Sequence, residues 1–219
     1  MAHLVDPKFR RLVESNLKEF DYIQASTDGR SAAVAVTIVD SGFGPVLSGM
    51  AQFKVWQESA SLILTRRSSR LRNHAGQWSF PGGRLEQGET PELAALREMR
   101  EEIGLKVSEE NIIGRLDDFV TRSGFIMTPV VCWAGNQKKL EPNPAEVESI
   151  HRIPISEFLR DDAPLLDPGD GPHPVLRMPV GDDWIAAPTA AIIYQFREVA
   201  VLGKSTRVAH FDQPKFAWS

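Results

Sequence analysis

Apolar positions change their period along this chain, and each change marks an element. Over residues 7–20 they fall at Phe9, Leu12, Val13, Leu17 and Phe20, with Lys8, Arg10, Arg11, Glu14 and Lys18 between them. That spacing predicts an amphipathic helix. Residues 31–40 (SAAVAVTIVD) and 61–65 (SLILT) are instead short runs of small, β-branched and aliphatic residues, and they predict strands. The second run is almost wholly apolar, as in a strand covered on both faces. Residues 41–49 hold Gly42, Gly44, Pro45 and Gly49 and predict a connection, with the next strand starting at residues 53–56. Residues 111–121 and 124–134 predict two strands joined near Arg122-Ser123-Gly124. Pro129 in the second marks an edge position or a bulge, and Cys132 is a small core residue. An apolar run at 150–155 precedes a short helix at 156–159. Residues 161–173, rich in Asp, Gly and Pro, predict a flexible loop. A hairpin over 175–180 and 183–187, turning at Gly181-Asp182, and a closing helix at 188–201 complete the pattern. The polar tail after Leu202 ends in Phe216-Ala217-Trp218, which would pack on the body or on a partner.

Residues 91–103 stand apart. They contain no internal Gly or Pro and are rich in Ala, Leu, Glu and Arg, so a helix is predicted. Thr90 suits the N-cap, Pro91 the first helical position and Gly104 the stop. At about 100° per residue, Leu93, Leu96, Met99 and Ile103 share one side while Glu98, Glu101 and Glu102 share the other. Glu98 neighbours both other glutamates at helical spacing. One such carboxylate pair, at about 4 Å and an effective dielectric near 20, costs roughly 4 kcal/mol. A hard divalent cation, Mg²⁺ or Mn²⁺, would remove that cost by taking the oxygens as ligands.

The whole pattern around this helix narrows the reading. Gly83, five residues, Glu89, seven residues, Arg97-Glu98, apolar Met99, one residue, Glu101-Glu102, one residue, Gly104 and apolar Leu105 resembles the Nudix box at every fixed position. The resemblance implies an α/β protein, an α/β/α sandwich with a mixed central sheet and a loop-helix-loop catalytic motif. It implies a Mg²⁺- or Mn²⁺-dependent hydrolase of a nucleoside diphosphate linked to another moiety. Glu98, Glu101 and Glu102 would hold metal, Arg97 would orient the glutamates, and the backbone at Gly82 and Gly83 would border the metal.

A second signature lies upstream. Ile63-Leu64-Thr65, Arg67-Ser68, Arg72, Gly76 and Phe80-Pro81-Gly82-Gly83 resemble, with all spacings intact, the motif of the coenzyme A diphosphatase branch of Nudix proteins. The cluster Arg66, Arg67, Arg70 and Arg72 places positive charge in a loop running into the box, and arginine clamps phosphate oxygens bidentately. Arg67 and Arg72 are therefore candidates for the substrate phosphates, including a 3′-phosphate that plain ADP-ribose lacks. His74 receives no role. Trp78 reads as core, with stacking on adenine as the alternative. Asn143-Pro144-Ala145-Glu146-Val147 resembles a downstream step of the same branch. It makes Glu146, ahead of Glu148, the candidate for completing the metal site or serving as base. Residues 184–189 (WIAAPT) depart from the Trp-Gly-x-Thr of that branch.

Composition adds bounds. With 219 residues, 42% of them hydrophobic, the chain suits one sizeable domain with extensions. The division expected is a helical extension at 1–30, a Nudix domain at 31–202 and a tail at 203–219. A net charge of −4 leaves no general nucleic-acid footprint. Cys132 is the only cysteine, so no intrachain disulfide forms. No apolar run approaches the roughly 18 residues of a membrane span. A soluble cytoplasmic protein is expected, acting on a small coenzyme A-like nucleotide, with neither nucleic acid nor membrane as partner. A homodimer is a family expectation. The competing readings are a Nudix hydrolase of ADP-ribose, NADH or a nucleoside triphosphate, and a non-catalytic Nudix ligand sensor.

Overall fold

The computed structural model describes residues 3–71, 74–137, 139–169 and 172–214. In chain order its elements are α1 (Pro7–Glu19), β1 (Arg30–Gly42), β2 (Gln57–Arg67), β3 (Trp78–Ser79), β4 (Gly82–Arg84), α2 (Pro91–Ile103), β5 (Ile112–Arg115), β6 (Phe119–Val120), β7 (Phe125–Gly135), β8 (Val147–Pro154), α3 (Ile155–Phe158), β9 (Leu165–Asp167), β10 (Val175–Val180), β11 (Asp183–Ala186) and α4 (Thr189–Phe196). A π-helical turn, Arg197–Val201, continues α4.

β1 organises a mixed sheet. One edge runs parallel to β7 along its whole length. The other edge is shared: Ile38 to Gly42 pair with β2, and Ala32 to Val34 pair with β4, both antiparallel. β8 covers the far edge of β2, β3 pairs with its end, and β5 and β6 close the far edge of β7. β2 and β4 therefore fork apart along β1, and Ala35 N–H donates to Pro81 O at 2.8 Å in the fork. A second sheet has the order β11-β10-β9.

Strand alternation sends side chains to two separate cores. Val34, Val36, Ile38, Leu62 and Leu64 pack with Phe9, Val13 and Leu17 of α1, with Ile192, Ile193 and Phe196 of α4, and with Leu176 and Met178 of the small sheet. Ala33, Ala35, Val39, Ile63, Val130 and Cys132 pack with Ala94, Ala95, Met99 and Ile103 of α2. The central sheet is thus covered on both faces, which is the α/β/α layering expected. It also explains why β1 and β2 read as continuous apolar runs.

Several expectations need correction. β2 begins after residues 53–56 and continues through Arg66 and Arg67, whose backbones pair with β3 and β8, so these arginines stand on a strand. Residues 111–121 form two short strands, because Leu116 to Asp118 leave the ladder. There the buried Asp117 carboxylate accepts from Ile23 N–H and from Gln195 and Arg207. Pro129 lies within an interior strand. Its carbonyl accepts from Leu116 N–H at 3.1 Å, so its missing N–H faces the break between β5 and β6, where the ladder lapses. The loop expected at 161–173 contains β9, paired to β10. Arg72 and the end Phe216-Ala217-Trp218 lie outside the described residues. Among the described residues no helix is long and apolar enough to cross a membrane.

Candidate active site

α2 brings the acidic residues to the fork. Thr90 Oγ1 accepts from Leu93 N–H at 3.3 Å, and Gly104 ends the helix at φ 68°. The face laid on the sheet is Ala94, Ala95, Met99, Glu102 and Ile103, while Leu93 is 40% exposed. The helix is thus rotated from the stripe predicted by its leucines. Two alanines let its backbone come close to β1, and that rotation turns Glu98 and Glu102 inward toward β4. The close approach requires glycines. A Cβ on Gly83 would lie 2.1 Å from Glu98 Oε1, and one on Gly82 would lie 2.4 Å from Ala33 O.

Arg97 holds this geometry. Its Nε donates to Glu89 Oε1 at 2.9 Å, and Nη2 donates to Glu89 Oε2 and to Arg84 O, each at 3.0 Å. Nη1 donates to Glu98 Oε1 at 2.8 Å and to Glu101 Oε2 at 3.3 Å. Hydrogen bonding to Arg97 lowers the Glu89 carboxyl and raises the guanidinium in turn. Glu102 is different. Burial, then the Glu98 charge, push its carboxyl up to about 8, although Gly82 N–H and Arg67 favour the anion. Burial raises Glu98 as well.

A turn at residues 143–147 supplies the third carboxylate. Asn143 N–H donates to Glu102 O at 2.8 Å, the Val147 and Glu146 amides return to Asn143 O, and Ser68 N–H donates to Glu146 O at 2.8 Å. The turn is therefore tied to both α2 and the end of β2. Oxygens of Glu98, Glu102 and Glu146 lie within 4.8 Å of one another, the one such group of candidate metal ligands among the described residues. Glu101 lines the same cavity but points to Arg97, outside this triplet.

The carboxylates open onto a cavity of about 590 Å³. Arg67, His74, Gln77 and Trp78 wall one side, and Thr121, Ser123, Phe125, Met127 and Gln213 another. The two neighbouring arginines are used differently. Arg66 donates to Gly76 O at 2.9 Å, pairs with Asp183 and lies 4.0 Å over the Trp78 ring. Arg67 has a buried Nε without a hydrogen-bond partner among the described residues. Trp78 is 7% exposed and its Nε1 donates to Asp183, so it is a packed wall. The sequence motifs did not mark the wall of Thr121, Ser123, Phe125, Met127 and Gln213. No local pattern signals it, since the strand break and the returning C-terminal segment assemble it.

The profile of the NUDIX domain family matches residues 49–172, more than half of the chain. The chain belongs to the NUDIX domain family. It is 34% identical to Nudix hydrolase 3 of Caenorhabditis elegans over 151 residues, covering 67% of this chain and 60% of that protein. It is 40% identical over 100 residues to a protein named uncharacterised Nudix hydrolase NudL of Photorhabdus laumondii, covering 45% of this chain and 54% of that one. The chain thus spans a little over half the length of these curated relatives. In fold it is similar to the crystal structure of a MutT/nudix family protein from Enterococcus faecalis, with a TM-score of 0.51 at 18% identity, covering 80% of this chain and 63% of that one. The Nudix box occupies β4, the following loop and α2.

The residues of this Nudix site fit a hard divalent cation. The three converging groups offer only oxygen, and two of them have carboxyls raised first by burial and then by repulsion from neighbouring glutamates. That repulsion is what a dication relieves.

Proposed function

We propose that this Nudix protein hydrolyses the diphosphate bridge of coenzyme A or its acyl derivatives, giving 4′-phosphopantetheine, or its acyl form, and adenosine 3′,5′-bisphosphate. Convergence of Glu98, Glu102 and Glu146 on one cavity that also carries Arg67 supports this reading most directly. The upstream signature that contains Arg67 favours coenzyme A over ADP-ribose or NADH.

Glu98, Glu102 and Glu146 would hold Mg²⁺ or Mn²⁺, and Glu101 stands beside them. The bound cation would neutralise diphosphate charge and lower the pKa of the attacking water. Water oxygen attacks one phosphorus, the bridging P–O bond breaks, and the bridging oxygen leaves with the other phosphate. One of Glu101, Glu102 and Glu146 takes the water proton, a contribution of about 10²–10⁴-fold. Arg97 keeps Glu98 and Glu101 in place without touching substrate. Arg67, with its unpartnered Nε, binds phosphate oxygens.

The test is product analysis by mass spectrometry. Purified protein with Mg²⁺ or Mn²⁺ is given coenzyme A, acetyl-coenzyme A, 3′-dephospho-coenzyme A, ADP-ribose, NADH and dGTP. Adenosine 3′,5′-bisphosphate formed selectively from the coenzyme A forms is the expected result. Preferred cleavage of ADP-ribose or NADH would overturn the substrate and retain the chemistry. No cleavage with either metal would favour a substrate outside this panel or a ligand sensor.

A further inference from the structure

The cavity reaches past both edges of β1. Arg67 stands on β2, on the same edge of β1 as β4, whereas residues 121–127 belong to the β6–β7 turn and the start of β7 across the opposite edge. Gly82, Gly83 and the carboxylates lie between the two. A substrate split at a diphosphate bridge has two arms, one on each side of the reacting atoms.

The two walls differ in chemistry. The Arg67 wall carries a buried guanidinium nitrogen without a hydrogen-bond partner among the described residues. The opposite wall offers the apolar surfaces of Phe125 and Met127, while the hydroxyls of Thr121 and Ser123 bond each other at 3.0 Å and Thr121 Oγ1 accepts from Phe125 N–H at 2.9 Å within the turn. Of its nearby cations, Arg30 and Arg84 lie over Phe125 at 4.0 and 5.2 Å from its centroid, Arg30 also donates to Ser123 O at 2.6 Å, and Arg84 lines the cavity between the walls. Apolar surface of this kind, edged by turn backbone, suits a neutral chain that alternates methylene and amide groups better than it suits a phosphorylated nucleoside.

The C-terminal segment holds this second wall. Gln213 is 8% exposed and closes the turn with both ends of its amide: Oε1 accepts from Arg122 N–H at 3.1 Å, and Nε2 donates to Val120 O at 3.2 Å. Asp212 pairs with the Arg122 side chain, and its N–H donates to Pro174 O at 2.9 Å, tying the strap to the small sheet. These residues follow the last helical turn and lie beyond the stretch that carries the Nudix motifs.

We propose that the wall of Thr121, Ser123, Phe125 and Met127 binds the uncharged, amide-bearing pantetheine arm, and that Gln213 is the positioning residue that shapes it. The inference rests on the coenzyme A reading and adds which arm each wall takes. Calorimetric titration of the full chain with Mg²⁺ tests it, using the two products as separate probes alongside coenzyme A turnover. Gln213→Ala is expected to weaken 4′-phosphopantetheine about 5–10-fold, as for loss of neutral hydrogen bonds. Adenosine 3′,5′-bisphosphate binding stays within about twofold, and KM for coenzyme A rises while kcat is retained. Gln213→Glu keeps the acceptor for Arg122 N–H and loses the donor to Val120 O. With an unchanged melting temperature, it should show a smaller shift of the same kind. Equal weakening of both products, weakening of the adenosine product alone, or no change in either variant would overturn the assignment. If the unaltered protein neither cleaves coenzyme A nor binds 4′-phosphopantetheine, the substrate reading itself falls, and that outcome is visible without any variant.

Discussion

Glu102→Gln tests the electrostatic state of the site without needing a substrate. Glu102 is 5% exposed, and its carboxyl is raised from 4.5 to about 8, first by burial and then by Glu98. Between those two pH values the folded chain keeps a proton that the unfolded chain has released. Stability of the metal-free protein from this group is therefore full below about pH 4.5 and is lost as pH rises through about 8. Each pH unit across that window is worth about 1.4 kcal/mol, so the loss reaches at most about 5 kcal/mol. Glutamine copies the protonated carboxyl in shape and charge. Urea unfolding in a chelator should give nearly equal stabilities for the two proteins at pH 5. At pH 8 the Gln variant should be the more stable by several kcal/mol. Mg²⁺ added at pH 8 to a hundredfold its Kd should return about 2.7 kcal/mol to the wild type and less to the variant, which has lost a ligand. The reasoning is refuted if the stability difference between the two proteins is the same at pH 5 and pH 8.

Three further outcomes follow from the same geometry. Gly83→Ala would place a Cβ 2.1 Å from Glu98 Oε1, and displacement of that carboxylate should lower kcat by about 10²-fold or more with the circular dichroism spectrum retained. Thr90→Ala removes the N-cap bond of α2 and should cost about 1 kcal/mol, read as a melting temperature lower by about 2–4 °C. Arg67→Ala should raise KM for coenzyme A about 10–100-fold through loss of a charge-assisted bond, and steady-state kinetics against 3′-dephospho-coenzyme A should show a smaller change if the 3′-phosphate is its partner.

Much of the fold was legible because its signals are local. The almost wholly apolar run in β2 announces a strand covered on both faces, and two distinct cores do cover it. Thr90, Pro91 and Gly104 delimit α2 at the expected residues, because caps depend on neighbours three or four positions away. Where long-range contacts set the local form, the reading slipped. Pro129 looked like an edge residue, yet the β5–β6 break accommodates it inside the sheet. β9 is only three residues long and sits among Asp, Gly and Pro, so it does not stand out from a loop, and its pairing with β10 defines it. Leu93 looked like core, yet alanine packing rotated it outward.

The sequence by itself determined the chemistry on offer: three glutamates on one helix, an arginine spaced to hold them, glycines ahead of them and a basic stretch upstream. These are relations of period and spacing within one short stretch, and helix geometry converts spacing directly into proximity. Tertiary structure alone decided how those groups are used. It buried Glu102 and left Glu101 on Arg97. It brought Glu146 to the cluster through a turn bonded to α2 and β2. Asp183 pairs with Arg66, while the buried Arg67 Nε has no hydrogen-bond partner among the described residues. Gln213 reached the wall of a cavity whose Nudix box ends more than a hundred residues earlier, at Leu105. Such choices depend on which distant segments pack together, and burial, pKa and pairing are properties of that packing, with no counterpart in residue order.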